Sequence, residues 1–242
     1  MDRFERRDLA FRVSRFGCGR QCEPGGESGS AFHIPHSSTP DTRIGILGGT
    51  FDPVHIGHLI IAEEARYRLD LEKVIFVPAG TPPLKPEGPS AGKEDRYRMV
   101  ALAVEEDPAF EAARIEIDRP GVSFTVDTLA EIKRIYGRAA RLFFIAGVDA
   151  VLEILSWHKP EEIIRLCKLV AAARPGCDLS ELRRSLPEEF MNRIVLLEVP
   201  SVDISSTELR ARVSAGIPIK YLVPRAVEEY ILANGLYGAS SD

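Results

Sequence analysis

From Arg43 onward, short apolar runs alternate with stretches in which apolar positions recur every three to four residues. Ile44–Leu47 is an apolar run of strand type. A glycine-rich turn follows it, then a helical pattern over His55–Leu69. Val74–Val77 is a second strand run, stopped by Pro78, and a Pro- and Gly-rich loop continues to Gly92. A loop of that length predicts a functional role. Helices are predicted over Arg96–Glu106 and Val126–Tyr136, the second ended by Gly137. Between them Ala113–Ile117 reads as a strand, with Ile115 and Ile117 alternating. Leu142–Ala146 is wholly apolar, and Ala150–Leu155 and Glu161–Arg165 are helical pieces. Leu169–Ala173 and Ile194–Val199 are further strands, with closing helices over Thr207–Ser214 and Pro224–Asn234. No internal repeat is visible. Mostly apolar strands separated by helices predict an α/β fold: a doubly wound parallel sheet with helices on both faces and C-terminal helices. Such sheets bind ligands beyond the carboxyl ends of their strands, where strand order reverses. The turn after Leu47 is therefore the first place to look.

Residues 1–42 break the pattern. Six Arg, six acidic residues, a Gly-rich patch over Gly17–Gly29 and the run Ser37-Ser38-Thr39-Pro40 carry little apolar periodicity. They predict a poorly ordered extension, with a linker from about Gly25 to Thr42, ahead of one domain over 43–242. Cys18, Cys22, His33 and His36 superficially resemble zinc-ligand spacing. Glycines surround them and the Cys–His gap is shorter than in common fingers, so no metal site is expected. The start is Arg-rich, as transit peptides are, but Asp2, Glu5 and Asp8 count against one, and charges interrupt any apolar signal core.

Composition narrows the function. The 242 residues are 45% apolar and 28% charged, an ordinary globular balance. Lys and Arg number 31 against 36 Asp and Glu, a net charge of −5. The extension is neutral, so the whole excess lies on residues 43–242. An acidic chain argues against coating nucleic acid, which needs a basic footprint. No apolar run approaches the roughly 18 residues of a membrane helix. Four cysteines are too few for a disulfide scaffold, and the expected compartment is the reducing cytoplasm.

The strongest chemical signal is the segment Gly45-Ile46-Leu47-Gly48-Gly49-Thr50-Phe51-Asp52-Pro53-Val54-His55-Ile56-Gly57-His58. It runs from a buried strand through a glycine turn into a helix. Glycines let backbone approach a phosphate, and a helix start offers unpaired N–H groups at a positive dipole end. The spacing is neither the dinucleotide fingerprint nor a Walker loop. His55 and His58, at i and i+3, share the first turn of one helix face, where imidazoles can donate to phosphoryl oxygens. Gly57 is expected to leave room for a bulky ligand. A second signal is Ile204-Ser205-Ser206-Thr207-Glu208-Leu209-Arg210. Ser205 with Glu208 fits a capping box, which explains the pattern structurally. The same geometry would present hydroxyls, free N–H groups and the Arg210 fork to an anion.

Together these segments resemble the nucleotidyltransferase superfamily marked by an (H/T)-x-G-H and an I-S-S-T-x-x-R motif. The closer resemblance is to bacterial nicotinate mononucleotide adenylyltransferases. It rests on Gly48–His58, Ser123–Leu129, Gly147-Val148-Asp149, Ser156-Trp157, Ala173–Gly176 and Ile204–Arg210, and covers about residues 43–237. It implies a Rossmann-like fold and adenylyl transfer from ATP to nicotinate mononucleotide, giving deamido-NAD and pyrophosphate. Mg²⁺ would be carried in with ATP, and no protein metal ligands are implied. His55, His58 and Arg210 would be catalytic. Gly48, Gly49 and Phe51 would line the ATP site, with Gly147 and Asp149 at the ribose and Ser205, Ser206 and Arg210 at the triphosphate. Thr50, Lys85, Thr125, Trp157 and Arg174 would serve the mononucleotide. Leu84 departs from the family, where His often precedes the basic residue. The resemblance leaves monomer and homodimer both open.

Plain structural roles stand beside these. Trp157 could be core, Thr125 and Asp149 helix caps, His158 a surface residue, and Cys167 and Cys177 inert, with Cys167 ending a helix. The chemistry itself is undemanding in one respect: the mononucleotide phosphate is already an anionic nucleophile, so no general base is required. Catalysis would be positioning plus charge neutralisation, with His55, His58, Arg210 and helix ends forming a positive pocket in an acidic shell. The alternatives are another adenylyl- or cytidylyltransferase acting on nicotinamide mononucleotide, pantetheine phosphate or a polyol phosphate, a class I aminoacyl-tRNA synthetase fragment, and a non-catalytic nucleotide sensor. The chain has no Lys-Met-Ser-Lys-Ser segment and no basic tRNA-binding module, which counts against the synthetase.

Overall fold

The computed structural model describes residues 42–81, 89–176 and 180–238. The extension, the loop at Lys85 and Cys177 lie outside these residues. Six strands form one all-parallel sheet: β1 (Arg43–Gly49), β2 (Lys73–Pro78), β3 (Phe110–Ala112), β4 (Arg141–Gly147), β5 (Cys167–Ala173) and β6 (Ile194–Glu198). Their order is β3-β2-β1-β4-β5-β6. Successive strands step outward in one direction from β1 and in the other from β4, so the order reverses between those two.

Two apolar layers explain why the strands lack polar alternation. Leu47, Phe76, Phe143, Ile145 and Val170 face one layer. It is completed by α1 (Ile56–Arg68), α2 (Lys93–Val104), α8 (Ser206–Ser214) and α9 (Arg225–Ala233). Ile44, Ile46, Ile75, Phe144 and Leu169 face the other. There α3 (Thr125–Tyr136), α4 (Val148–Leu152), α5 (Pro160–Leu166), α6 (Ser180–Ser185) and α7 (Glu188–Met191) cover the sheet. With a period of two and both faces buried, the strand interiors are mostly apolar and most charged residues fall near strand ends.

One expected strand is corrected. The third strand is Phe110–Ala112, not Ala113–Ile117. Ala113 and Ile117 are both buried, which is the i,i+4 spacing of a turn. The Asp118 N–H closes that turn on the Arg114 carbonyl at 2.9 Å, and the two side chains pair at 2.8 Å. Cys167 does stand at the end of a helix, as the C-cap of α5, and the chain turns extended there and opens β5. The short helices α6 and α7 carry too few apolar positions to show a period in sequence.

Candidate active site

The residues after β1 are set by packing before any ligand is considered. Phe51 is only 2% exposed, with a left-handed φ of 51°. A bulky residue holds that conformation only where its surroundings enforce it. Here the ring fills the space above Gly49, where an added Cβ would sit 3.1 Å from it. Phe51 therefore supports the turn from beneath and does not line its surface. Asp52 is also buried, and its carboxylate accepts from the Ser90 N–H (2.7 Å), the Ala91 N–H (3.1 Å) and the Tyr237 hydroxyl (2.8 Å). Arg96, 1% exposed, donates to the Thr50 carbonyl at 2.8 Å and the Gly80 carbonyl at 3.1 Å. It ties the loops after β1 and β2 together. Sequence reading missed Asp52, Arg96 and Tyr237, since their partners lie tens of residues away.

The two histidines are stacked, with ring centroids 3.7 Å apart, and His58 also meets Phe51 edge-on at 5.0 Å. Gly57 makes room for the His55 ring rather than for ligand: a Cβ there would lie 3.1 Å from that ring. The His55 N–H donates to His58 Nδ1 at 3.1 Å. An imidazole nitrogen that accepts carries no proton, so the proton of neutral His58 is on Nε2. Burial lowers the His55 pKa from 6.5 to about 4. Burial, with His55 beside it, lowers His58 to about 3. Both rings are thus neutral hydrogen-bonding groups at neutral pH, and the positive charge expected of them is absent. His55 Nδ1 is buried without a hydrogen-bond partner.

The second motif joins the first across the fold. Ser205 caps α8, its Oγ accepting from the Glu208 N–H at 3.1 Å. Ser206 donates its hydroxyl proton to the Pro53 carbonyl at 2.9 Å. Arg210 donates to the Asp52 carbonyl at 2.8 Å and to Thr207 Oγ1 at 3.3 Å. Ser206 is therefore a tie between the motifs, with its one donor already used. Arg210 keeps further N–H groups and supplies the local cation. Two of the first N–H groups of α1 are already taken, Ile56 donating to the Leu222 carbonyl at 3.0 Å and His58 to the His55 carbonyl at 2.9 Å, whereas α3, after Phe124, and α4, after Gly147, have no side-chain cap hydrogen bond. Neither Thr125 nor Asp149 is the cap that sequence allowed. Uncapped helix starts leave N–H groups for an anion.

Beside this lies a pocket of about 710 Å³, within the range of small-molecule sites. Gly48, Gly49 and Thr50 reach it from β1 and its turn, with Phe144 and Ala146 from β4, Thr125 from α3, and Trp157. It opens where strand order reverses, as expected of this sheet. Trp157 stands edge-on to Phe144 at 5.8 Å, and Phe124 and His158 pair at 4.4 Å. His158 is exposed, as expected of a surface residue, and stands at the pocket wall. Glu116 also lines it, accepting from Thr128 Oγ1 at 2.7 Å, and burial raises its pKa. Ser123 Oγ is buried there without a partner. No motif marked Glu116, Ser123 or Phe124. Gly147 and Asp149 sit at the carboxyl end of β4, both exposed. Arg174 stands apart, 67% exposed and paired with Asp203 at 3.2 Å. Burial pushes the Cys167 thiol up to about 12, which leaves it inert at neutral pH. Among the described residues no cluster of three or more His, Cys, Asp or Glu could hold a metal ion. No described helix is long and apolar enough to cross a membrane.

Comparison with known proteins decides the family. The cytidylyltransferase-like family model matches residues 46–212. A relative from Moorella thermoacetica, named a probable nicotinate-nucleotide adenylyltransferase, is 54% identical over 198 residues, covering 81% of this chain and 91% of its own. The chain belongs to the nicotinate-nucleotide adenylyltransferases. A member from Thermus thermophilus is 49% identical over 195 residues, covering 81% of this chain and 99% of its own. The solved nicotinic acid mononucleotide adenylyltransferase of Plasmodium falciparum complexed with NaAD shares the fold, with TM-score 0.68 at 19% identity. That match covers 83% of this chain and 100% of the other. The sequence resemblance is therefore upheld, and the nicotinate-nucleotide adenylyltransferase fold is the doubly wound one.

Proposed function

We propose that the chain catalyses attack of the nicotinate mononucleotide phosphate on the α-phosphorus of MgATP, forming deamido-NAD and releasing pyrophosphate in the cytoplasm. The reading is carried by one observation: Arg210 and Ser206 bind the Asp52 and Pro53 carbonyls, which brings the α8 terminus to the loop that leads into His55 and His58.

The acceptor occupies the 710 Å³ pocket, its pyridine among Trp157, Phe124 and His158. Thr125 and the uncapped start of α3 meet its anionic groups. ATP lies over Gly48, Gly49 and the start of α1, with its triphosphate between His58 and Arg210 and its ribose towards Gly147 and Asp149. One P–O bond forms at the α-phosphorus as the bond to the leaving pyrophosphate breaks. Charge building on the α-phosphoryl oxygens meets the His58 Nε2–H, the Gly57 N–H at the start of α1 and Arg210. A neutral imidazole suits this role, since it donates without having to lose a proton. Phe51, Asp52, Arg96 and Ser206 are positioning residues.

ATP labelled at the α-phosphate tests the route. The label is expected wholly in the dinucleotide, with unlabelled pyrophosphate released. Label bound covalently to protein, or ADP as a product, would overturn direct transfer.

A further inference from the structure

A second concavity, of about 430 Å³, lies at the amino ends of the strands, away from the site just described. Arg43, Arg141 and Lys168 enter it from the starts of β1, β4 and β5, and Arg193 from just before β6. Lys133 of α3, Arg138 after α3 and Arg165 of α5 complete its basic lining. Among the described residues no carboxylate lines it. This concentration of cations occurs on a chain of net charge −5.

Cations at helix carboxyl ends have an ordinary explanation, since they complement the negative end of the dipole. Lys133 and Arg165 stand in the last turns of α3 and α5 and fit it. The four at strand starts do not, because strands carry little net dipole. Nor are six of these seven cations paired with a described carboxylate. Among the described residues, Arg43, Lys133, Arg138, Arg165, Lys168 and Arg193 have no carboxylate within 4.0 Å, whereas Arg66, Arg68, Arg114, Arg119, Arg212 and Arg225 each do. The Arg43 guanidinium is held 5.0 Å over the Phe143 ring, and its Nε is buried without a hydrogen-bond partner. Crowded like charges around a concave surface, with a buried donor unmet, call for an anionic counterpart.

We propose that this pocket is a second anion site that takes a compact, multiply charged phosphate anion, whether a short inorganic polyphosphate or the triphosphate of a nucleotide. Forked guanidiniums suit phosphate oxygens. The concavity limits the occupant to a small molecule or a chain end. β1 and β4 run from this pocket to the active site, seven residues each, or about 20 Å. The two sites are therefore distinct.

Calorimetric titration of the full chain with inorganic tripolyphosphate tests the proposal. Two binding events are expected. In the Lys168→Glu/Arg193→Glu variant one of them weakens at least tenfold, while kcat and the KM for ATP stay within twofold of wild type. Reversal of Arg68 and Arg225, which are remote from the pocket, leaves both events in place. Competition by ATP for the second event assigns it to nucleotide triphosphates, and its absence assigns it to the inorganic chain. A single event in wild type, or a second event untouched by Lys168→Glu/Arg193→Glu, would overturn the site. So would equal weakening by the remote reversals. Binding of a single-stranded oligonucleotide at these residues without tripolyphosphate binding would also overturn it, in favour of a nucleic-acid surface.

Discussion

At the scale of single residues, the motif histidines were legible in sequence but their electrical state was not. Two imidazoles at i and i+3 on a helix start suggested positive charge. The fold stacks them at 3.7 Å and buries them, which favours the neutral form of each. His58 then works by its Nε2–H, and His58→Ala should lower kcat by about 10²–10³-fold, the usual effect of losing one donor to a developing oxyanion. Steady-state kinetics with circular dichroism as a folding control checks this; near-normal kcat would refute the role. The same burial has a stability consequence. The unfolded chain binds protons at these residues near pH 6.5, the folded one only at about 4 and about 3. Their contribution is complete above about pH 6.5 and declines as pH falls towards 4, because the unfolded state binds more protons there. Urea midpoints at pH 7.5 and pH 5 should therefore differ more in wild type than in His55→Asn/His58→Asn. An unchanged difference would contradict the neutral pair.

At the scale of elements, the long strands and amphipathic helices announced themselves through periodicity, and the glycine turn through composition. What stayed hidden were the ties between elements. Ser205 did turn out to be a cap, as its spacing with Glu208 said. That Ser206 and Arg210 would reach the carbonyls of Pro53 and Asp52, more than 150 residues away, was not in the local pattern. Arg96 is the clearest case, a charged residue that sequence marks only as the start of a helix and that the fold buries under two loops. Arg96→Met removes both its hydrogen bonds and leaves the Thr50 and Gly80 carbonyls unmet. A loss of about 2–6 kcal/mol in urea unfolding is expected, at about 1–3 kcal/mol for each of the two unsatisfied buried groups. The KM for both substrates should rise with it, as the loops after β1 and β2 lose their common anchor. Wild-type stability in this variant would show that the guanidinium has no such role.

At the scale of the whole molecule, net charge pointed to small ligands but said nothing about where charge sits. The acidic excess coexists with a basic pocket at one end of the sheet. At the other end is a catalytic site whose field comes from Arg210, helix termini and neutral donors. The doubly wound order explains why both motifs converge, since β1 and β4 flank the reversal and their carboxyl ends open into one cleft. Residues 1–42 break the periodicity, and we propose that the domain stands without them. A chain beginning at Arg43 should keep its thermal midpoint within about 3 °C, a shift of about 1 kcal/mol for this size, and its kcat within twofold. Failure to fold would make the extension part of the domain. The central claim concerns the reaction, and one assay bears on it most directly. Purified protein with ATP, Mg²⁺ and either nicotinate or nicotinamide mononucleotide is followed by pyrophosphate release. The account predicts turnover with the acid, at a kcat/KM well above that for the amide. No turnover with either would contradict the adenylyl-transfer reading, and equal values would contradict the assignment of nicotinate as acceptor.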